Sequence, residues 1–208
     1  MGDCAKRMKI VVVGSGDIGG YVIDELKKIG DLVIASRSSK EFPVDISEKK
    51  SIEGLFKRVG LCDHIVCTAG KTAIAPFKEA TDEQFQNSIA SKMMGQMNLV
   101  RVGMRHLNKG GSITLTTGGF SHFLFPNVII PAFVNAALER FVVNVAFEMK
   151  NHFRINAVSP DLLKDSADRY GTKGFEAFPI VMGEQVGKAY RNAIESKVTG
   201  SVIRVEGR

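Results

Sequence analysis

The stretch of sequence that decides the expected fold is Lys9-Ile10-Val11-Val12-Val13-Gly14-Ser15-Gly16-Asp17-Ile18-Gly19. Its β-branched run is typical of a buried strand, and the apolar residues that follow recur at helical spacing over Ile18–Ile29. Between them the glycines have the spacing GxGxxG. Gly14 permits a tight turn, Gly16 lets the backbone approach a diphosphate, and Gly19 lets the helix pack closely on the strand. Because helix N-termini attract anions, we expect this loop to bind a dinucleotide.

The same alternation of strand and helix patterns continues along the whole chain. Candidate strands are Lys9–Val13, Leu32–Ser36, His64–Thr68, Ser112–Thr116, Arg154–Val158 and Ser201–Val205, with a weaker one at Phe42–Val44. Candidate helices are Ile18–Ile29, Ser47–Val59, Thr81–Leu107, Pro131–Lys150 and Glu184–Ser196. This order predicts an α/β protein: one Rossmann-type, doubly wound parallel sheet of about seven strands with helices on both faces. No linker divides the chain, so we predict a single domain over residues 1–208.

Composition narrows the functional classes. The chain is 44% hydrophobic and 24% charged, which excludes a disordered chain, a collagen-like repeat and a disulfide scaffold. The net charge of +6 comes from dispersed Lys and Arg, which favours a phosphate-rich small ligand over nucleic acid. No apolar run approaches the length of a membrane-spanning helix, and Ile10–Val13 is too short for a signal peptide. We therefore expect a cytoplasmic protein with no membrane and no nucleic-acid partner.

The cysteines fit that expectation. Cys4, Cys62 and Cys67 lack metal-ligand spacing and an even count, so we predict reduced thiols and no metal site.

The end of the second strand indicates which dinucleotide binds. An NAD site typically has a carboxylate about 20 residues after the glycine loop, which accepts hydrogen bonds from the ribose hydroxyls. In this chain no acidic residue lies between Asp31 and Glu41. Instead, Arg37 can contact a 2′-phosphate through charge-assisted hydrogen bonds, and Ser38 can add a hydroxyl donor. The sequence therefore predicts NADP(H) as the cofactor. The alternative is a solvated arginine in a polar loop.

Short motifs in a fixed order resemble the short-chain dehydrogenase/reductase family. They are Val44-Asp45-Ile46, Cys67-Thr68-Ala69-Gly70, Gly111-Ser112-Ile113, Ile155-Asn156-Ala157-Val158-Ser159-Pro160, and Val198-Thr199-Gly200 with Val205-Glu206-Gly207. The resemblance implies hydride transfer between a nicotinamide and a carbonyl or alcohol. Together with the loop, it implies a cofactor-binding set of Gly14, Ser15, Gly16, Asp17, Ile18, Gly19, Arg37, Ser38, Asp45, Ile46, Thr68, Ala69, Gly70, Thr116, Pro160 and Leu162.

The family's catalytic residues are replaced here. In that family a serine orients the substrate, a tyrosine is the acid/base, a lysine four residues later lowers the tyrosine pKa, and an asparagine supports a proton relay. Those positions fall on Gly118, Pro131, Asn135 and Lys92, respectively.

Other side chains are candidates for the chemistry. Lys92 can supply the missing cation, Thr117 a hydroxyl, Asn135 a hydrogen bond to ribose, and His122 an imidazole for proton transfer. Each also has a plain structural interpretation, such as a surface lysine or a strand-end threonine. Tyr170 is a further candidate acid without a visible partner.

Two segments bear on the substrate and on assembly. Residues Asp161–Met182 are expected to cover the nicotinamide as a short lid, which implies a small-molecule substrate. The helix Phe133–Met149 has two apolar stripes. The second stripe is either buried deep within the subunit or packs on a partner subunit, in a homodimer or homotetramer formed through the two long helices Thr81–Leu107 and Pro131–Lys150. Two functions stay open: an NADPH-dependent reductase of a small carbonyl compound, or a non-catalytic NADPH sensor or scaffold.

Overall fold

A computed structural model describes residues 7–170 and 177–207; Cys4 lies outside the described residues. The strands are β1 (Met8–Val13), β2 (Gly30–Ala35), β3 (Cys62–Cys67), β4 (Leu107–Thr116), β5 (Arg154–Pro160), β6 (Leu162–Leu163), β7 (Ile180–Val181) and β8 (Val202–Val205). The α-helices are α1 (Asp17–Leu26), α2 (Lys49–Val59), α3 (Asp82–Ser88), α4 (Gly95–Gly103), α5 (Ile129–Glu148), α6 (Lys164–Tyr170) and α7 (Gly183–Glu195).

The strands confirm the predicted doubly wound sheet. Six of them pair in parallel in the order β2-β1-β3-β4-β5-β8, while β6 and β7 form a separate parallel pair. Alternating β1 residues enter two cores: Val11 and Val13 belong to the core with helices α2, α4 and α5, and Ile10 and Val12 to the core with α1 and α7. Both faces of the sheet are therefore covered, as its unbroken apolar strands require.

Two predicted elements differ from the structure. Phe42–Val44 is no strand: only an isolated bridge pairs Pro43 with Ser36, which leaves β2 at the edge of the sheet. The single helix predicted over Thr81–Leu107 is interrupted. A π-helical segment at Ile89–Met94 separates α3 from α4, a 3₁₀ turn follows at Met104–His106, and Leu107 already belongs to β4. Such π segments often occur at functional sites.

The cysteines and helix α5 bear on the compositional predictions. Cys62 and Cys67 are free and buried, and burial raises the pKa of each thiol to about 12. Helix α5 has enough length and apolar composition to cross a bilayer. Of its most apolar 18-residue stretch, 39% is buried inside the protein. A core helix passes the same test, and Val134, Leu138 and Val142 of α5 are fully buried in the core.

Candidate functional site

The carboxyl ends of β1, β2 and β3 open onto a cleft of about 1010 Å³. Parallel α/β sheets bind their ligands at this edge. The residues predicted to bind the cofactor that line the cleft are Gly14, Ser15, Gly16, Asp17, Ile18, Arg37, Ser38, Asp45, Ile46, Thr68, Ala69 and Gly70. Residues far apart in the chain are thereby brought to one surface.

The glycine loop has the geometry that a diphosphate site needs. Gly14 has a φ of 115°, and a Cβ there would lie 2.5 Å from the hydroxyl oxygen of Thr68. That hydroxyl donates a hydrogen bond of 3.1 Å to the Gly14 carbonyl. A Cβ on Gly19 would lie 2.5 Å from the same carbonyl, whereas one on Gly16 would meet no atom within 4 Å. Thus Gly14 and Gly19 allow close packing, whereas Gly16 borders the open space of the cleft.

The residues after β2 provide the polar end of the cleft. Arg37 and Ser38 are exposed there, and Arg37 makes no ion pair with any residue in the described part of the chain. Asp45 accepts hydrogen bonds from the hydroxyl (2.6 Å) and backbone amide (3.0 Å) of Ser47, and these lower the pKa of the Asp45 carboxyl. Arg37 contributes to the same shift through its positive charge. This end of the cleft therefore fits an additional phosphate.

Four residues predicted to bind the cofactor do not line the cleft: Gly19, Thr116, Pro160 and Leu162. Thr116 is 4% exposed, and its hydroxyl donates a 2.6 Å hydrogen bond to the Cys67 carbonyl and is also hydrogen-bonded to Tyr190. Pro160 ends β5 paired with Val205, and Leu162 pairs with Ile180. These positions are used by the core and by strand pairing.

Three of the four catalytic candidates converge beside the cleft. The Lys92 ammonium donates a 3.0 Å hydrogen bond to the Thr117 carbonyl, and the Asn135 amide donates one of 3.2 Å to the next carbonyl, that of Gly118. The stem of Lys92 packs against cleft-lining Gly70, where a Cβ would lie 2.9 Å from its Cγ. The hydroxyl of Thr117 and the amide oxygen of Asn135 are buried with no partner within the described chain.

The electrostatics of Lys92 suit proton transfer near neutral pH. Loss of hydration on burial lowers the pKa of Lys92 to about 8, against the opposing influence of Cys67 and Glu139. A lysine with this pKa exchanges its proton far more readily than a solvated one. The π segment Ile89–Met94 carries Lys92, so the interruption of the predicted helix sits where this side chain enters the site.

His122, the fourth candidate, lies in a different cluster. Its Nε2 is 3.3 Å from a carboxylate oxygen of Glu139, which also accepts hydrogen bonds from Ser121 (2.7 Å) and Ser159 (3.4 Å). Neither His122 nor Glu139 lines the cleft. The His122 cluster adjoins the Lys92 group, because Ser121 donates to the same Gly118 carbonyl as Asn135 and Glu139 acts on Lys92 through its charge, but the partner of His122 itself is Glu139. The side chain of Tyr170 and residues 171–176 of the predicted lid lie outside the described residues.

Two contributors were missed by sequence reasoning. Gln96 holds both backbone groups of Thr116, with its side-chain oxygen accepting at 3.0 Å and its nitrogen donating at 2.9 Å. Arg169, from α6, lines the cleft beside the glycine loop. Neither residue belongs to a recognisable motif, because their roles depend on elements that meet only in the folded chain.

Comparison with known proteins supports this architecture. A family model described as enoyl-(acyl carrier protein) reductase matches residues 19–189. A short-chain dehydrogenase/reductase of Stachybotrys chlorohalonatus is 33% identical over 167 residues, which are 76% of this chain. The chain belongs to the short-chain dehydrogenase/reductase family. It spans 64% of the length of that fungal relative.

Two solved structures resemble this chain along nearly its whole length. A protein of Listeria innocua has a TM-score of 0.92 and 36% identity, covering 95% of this chain and 99% of its own. A small-chain dehydrogenase in complex with NADPH has a TM-score of 0.87 and 29% identity, covering 97% of this chain and 98% of its own. The size of this family member is thus shared by solved relatives.

Gly118, which the motif spacing predicts to stand at the family's serine position, has little room for a side chain. A Cβ on Gly118 would lie 3.2 Å from the amide nitrogen of Asn135 and 3.7 Å from the Pro160 carbonyl. Asn135, predicted to stand at the family's lysine position, is 1% exposed. Pro131, predicted to stand at the tyrosine position, is also buried, in the first turn of α5, where a proline is tolerated. The replacements at Gly118 and Asn135 are therefore spatially coupled.

Proposed function

We propose that this protein is an NADP(H)-dependent oxidoreductase of a small carbonyl or alcohol substrate, with an active site formed by Lys92, Thr117 and Asn135. The observation that carries the proposal is the position of Lys92, which packs against Gly70 at the cleft that also holds the glycine loop. A cation with a pKa of about 8 and the cleft that we expect to hold the dinucleotide thereby meet in one place.

The cofactor assignment rests on the two ends of the cleft. The backbone of Gly14–Ile18 would hold the diphosphate, and Arg37 with Ser38 would hold the 2′-phosphate. The solved small-chain dehydrogenase in complex with NADPH supports this assignment. When bound, NADP(H) supplies or accepts the hydride.

Lys92 would donate the proton, and the residues around Thr117 would position Lys92 for this step. In the reductive direction, the Lys92 ammonium donates a proton to the substrate carbonyl oxygen as the carbonyl carbon receives the hydride, so that an alcohol forms. Thr117 would position the ammonium, because its carbonyl accepts the 3.0 Å hydrogen bond from Lys92. Asn135 fixes the Gly118 carbonyl and so the geometry of this loop.

Arg37 provides the test of cofactor preference. We expect NADPH to bind at least about tenfold more tightly than NADH, because only NADPH carries a 2′-phosphate for the guanidinium. Arg37→Ala should remove most of this preference while leaving NADH affinity within about twofold. Fluorescence titration of both nucleotides measures the effect. Equal affinities for the two nucleotides in the native protein would contradict the NADP(H) assignment.

Lys92 provides the test of catalysis. Lys92→Met should abolish carbonyl reduction and leave NADPH affinity within a few-fold, since the stem is preserved and only the proton donor is lost. In the native protein, kcat for reduction should fall as pH rises through about 8, because the ammonium form is the donor. A Lys92→Met variant with native turnover, or a kcat that is flat from pH 7 to pH 9, would remove Lys92 from the mechanism.

One observation favours a second function. Pro131 and Asn135 replace the family's tyrosine and lysine, which is expected of a protein that binds NADPH without turning it over. A broad panel of carbonyl compounds separates the two functions. Micromolar NADPH binding with no NADPH consumption across the panel would establish the non-catalytic sensor or scaffold.

A further inference from the structure

Helix α6 is tied to the glycine loop by polar contacts. A guanidinium nitrogen of Arg169 lies 2.7 Å from one carboxylate oxygen of Asp17, and the Ser166 hydroxyl lies 3.3 Å from the other. One turn along α1, the Tyr21 hydroxyl donates a 2.8 Å hydrogen bond to Asp165. These contacts join residues about 150 positions apart in the sequence. They pack α6 against the start of α1, at the edge of the cleft.

Asp17 presents an electrostatic problem for the diphosphate. It is the first residue of α1 and lines the cleft together with Gly14, Ser15 and Gly16. A carboxylate is favourable beside a helix N-terminus, yet it repels an anion that approaches the same amides. A cation that pairs with Asp17 cancels this repulsion.

Arg169 is placed to be that cation. Its side chain is 57% exposed, while that of Asp17 is 23% exposed, and both residues line the cleft. Guanidinium has five N–H donors in a planar fork that matches carboxylate and phosphate oxygens, and more than half of the Arg169 side chain is accessible to a ligand in the cleft. The carboxylate fixes the direction of the guanidinium before any ligand arrives.

We propose that Arg169 is a diphosphate-binding residue, delivered from α6 to the glycine loop and positioned there by Asp17. This inference rests on the proposed NADP(H) function and adds to it a positive charge that lies outside the glycine-loop motif. It also makes cofactor binding and the docking of α6 mutually supportive, because the diphosphate and Asp17 share the same guanidinium.

The experiment compares two ligands in three variants of the full chain. NADPH carries the diphosphate, whereas adenosine 2′-monophosphate carries only the 2′-phosphate. Arg169→Met should weaken NADPH binding about tenfold and leave the affinity for adenosine 2′-monophosphate within about twofold. Arg37→Met should weaken both ligands. Lys164→Met removes a cation from the same helix, where Lys164 pairs with Asp168 on the exposed surface, and should change neither. Calorimetry measures NADPH and NMR titration the weaker nucleotide.

A double variant tests the role of Asp17. Asp17→Asn combined with Arg169→Met should bind NADPH more tightly than Arg169→Met alone, because the uncompensated carboxylate is gone. Unchanged NADPH affinity in Arg169→Met, or an equal loss for both ligands, would overturn the assignment of Arg169, and equal affinity of the single and double variants would overturn the role of Asp17. Absence of binding of either nucleotide to the native protein would instead overturn the proposed function itself.

Discussion

At the scale of single residues, His64 shows how burial controls whether a side chain outside the cleft binds a proton. It is 7% exposed in β3, and its Nδ1 lies 2.8 Å from the Ser112 hydroxyl in β4. Burial, together with the nearby positive charge of Arg154, lowers the pKa of His64 to about 4. The folded protein therefore keeps this imidazole neutral at pH values where an unfolded chain protonates it.

This lowered pKa predicts a loss of stability in mild acid. Above about pH 6.5 both states are neutral at His64; as pH falls from there toward about 4, only the unfolded state gains the proton. Between pH 7 and pH 5, the free energy of unfolding should drop by about 2 kcal/mol more in the native protein than in His64→Gln. Urea unfolding at the two pH values measures the difference. Equal drops in the two proteins would show that His64 does not couple folding to pH.

At the scale of elements, α5 shows why an apolar pattern has two interpretations. Val134, Leu138 and Val142 form the fully buried stripe. The other predicted stripe, which contains Phe133 and Phe141, is only half-buried, and Phe133 stacks on Phe85 of α3 with ring centroids 5.9 Å apart. In the last turn of α5, Phe147 is 79% exposed. We propose that a second copy of this chain covers this face, as the second apolar stripe predicts.

Phe147 allows a test of this assembly that leaves the core alone. Phe147→Glu should shift the protein toward the monomer, because it places a charge in an apolar interface. Leu61→Glu changes another exposed apolar residue and should leave the assembly intact. Leu61 is 60% exposed and lies just before the start of β3. Analytical ultracentrifugation measures both. A native protein that is monomeric at all concentrations, or an unchanged assembly in Phe147→Glu, would contradict the proposal.

At the scale of the whole molecule, the cleft is the product of parallel strand order. With β1 between β2 and β3, the glycine loop, the Arg37 turn and the Thr68–Gly70 turn emerge side by side at one edge. The segment after β5 then returns across the sheet and docks α6 on α1, which adds Arg169. The chain as a whole has a net charge of +6, which favours the approach of phosphorylated ligands.

The sequence by itself determined the fold class and predicted many of the residues that line the cleft, because glycine spacing and hydrophobic periodicity are local signals. It also placed Lys92, Thr117 and Asn135 among the candidates, because the spacing between family motifs indicates which residues lie at or beside the family's catalytic positions. Only the tertiary structure decided which candidates meet: Lys92 and Asn135 hold adjacent carbonyls, whereas His122 pairs with Glu139. Contacts such as Arg169 with Asp17 join residues about 150 positions apart, and no local pattern encodes a distance that long-range packing sets.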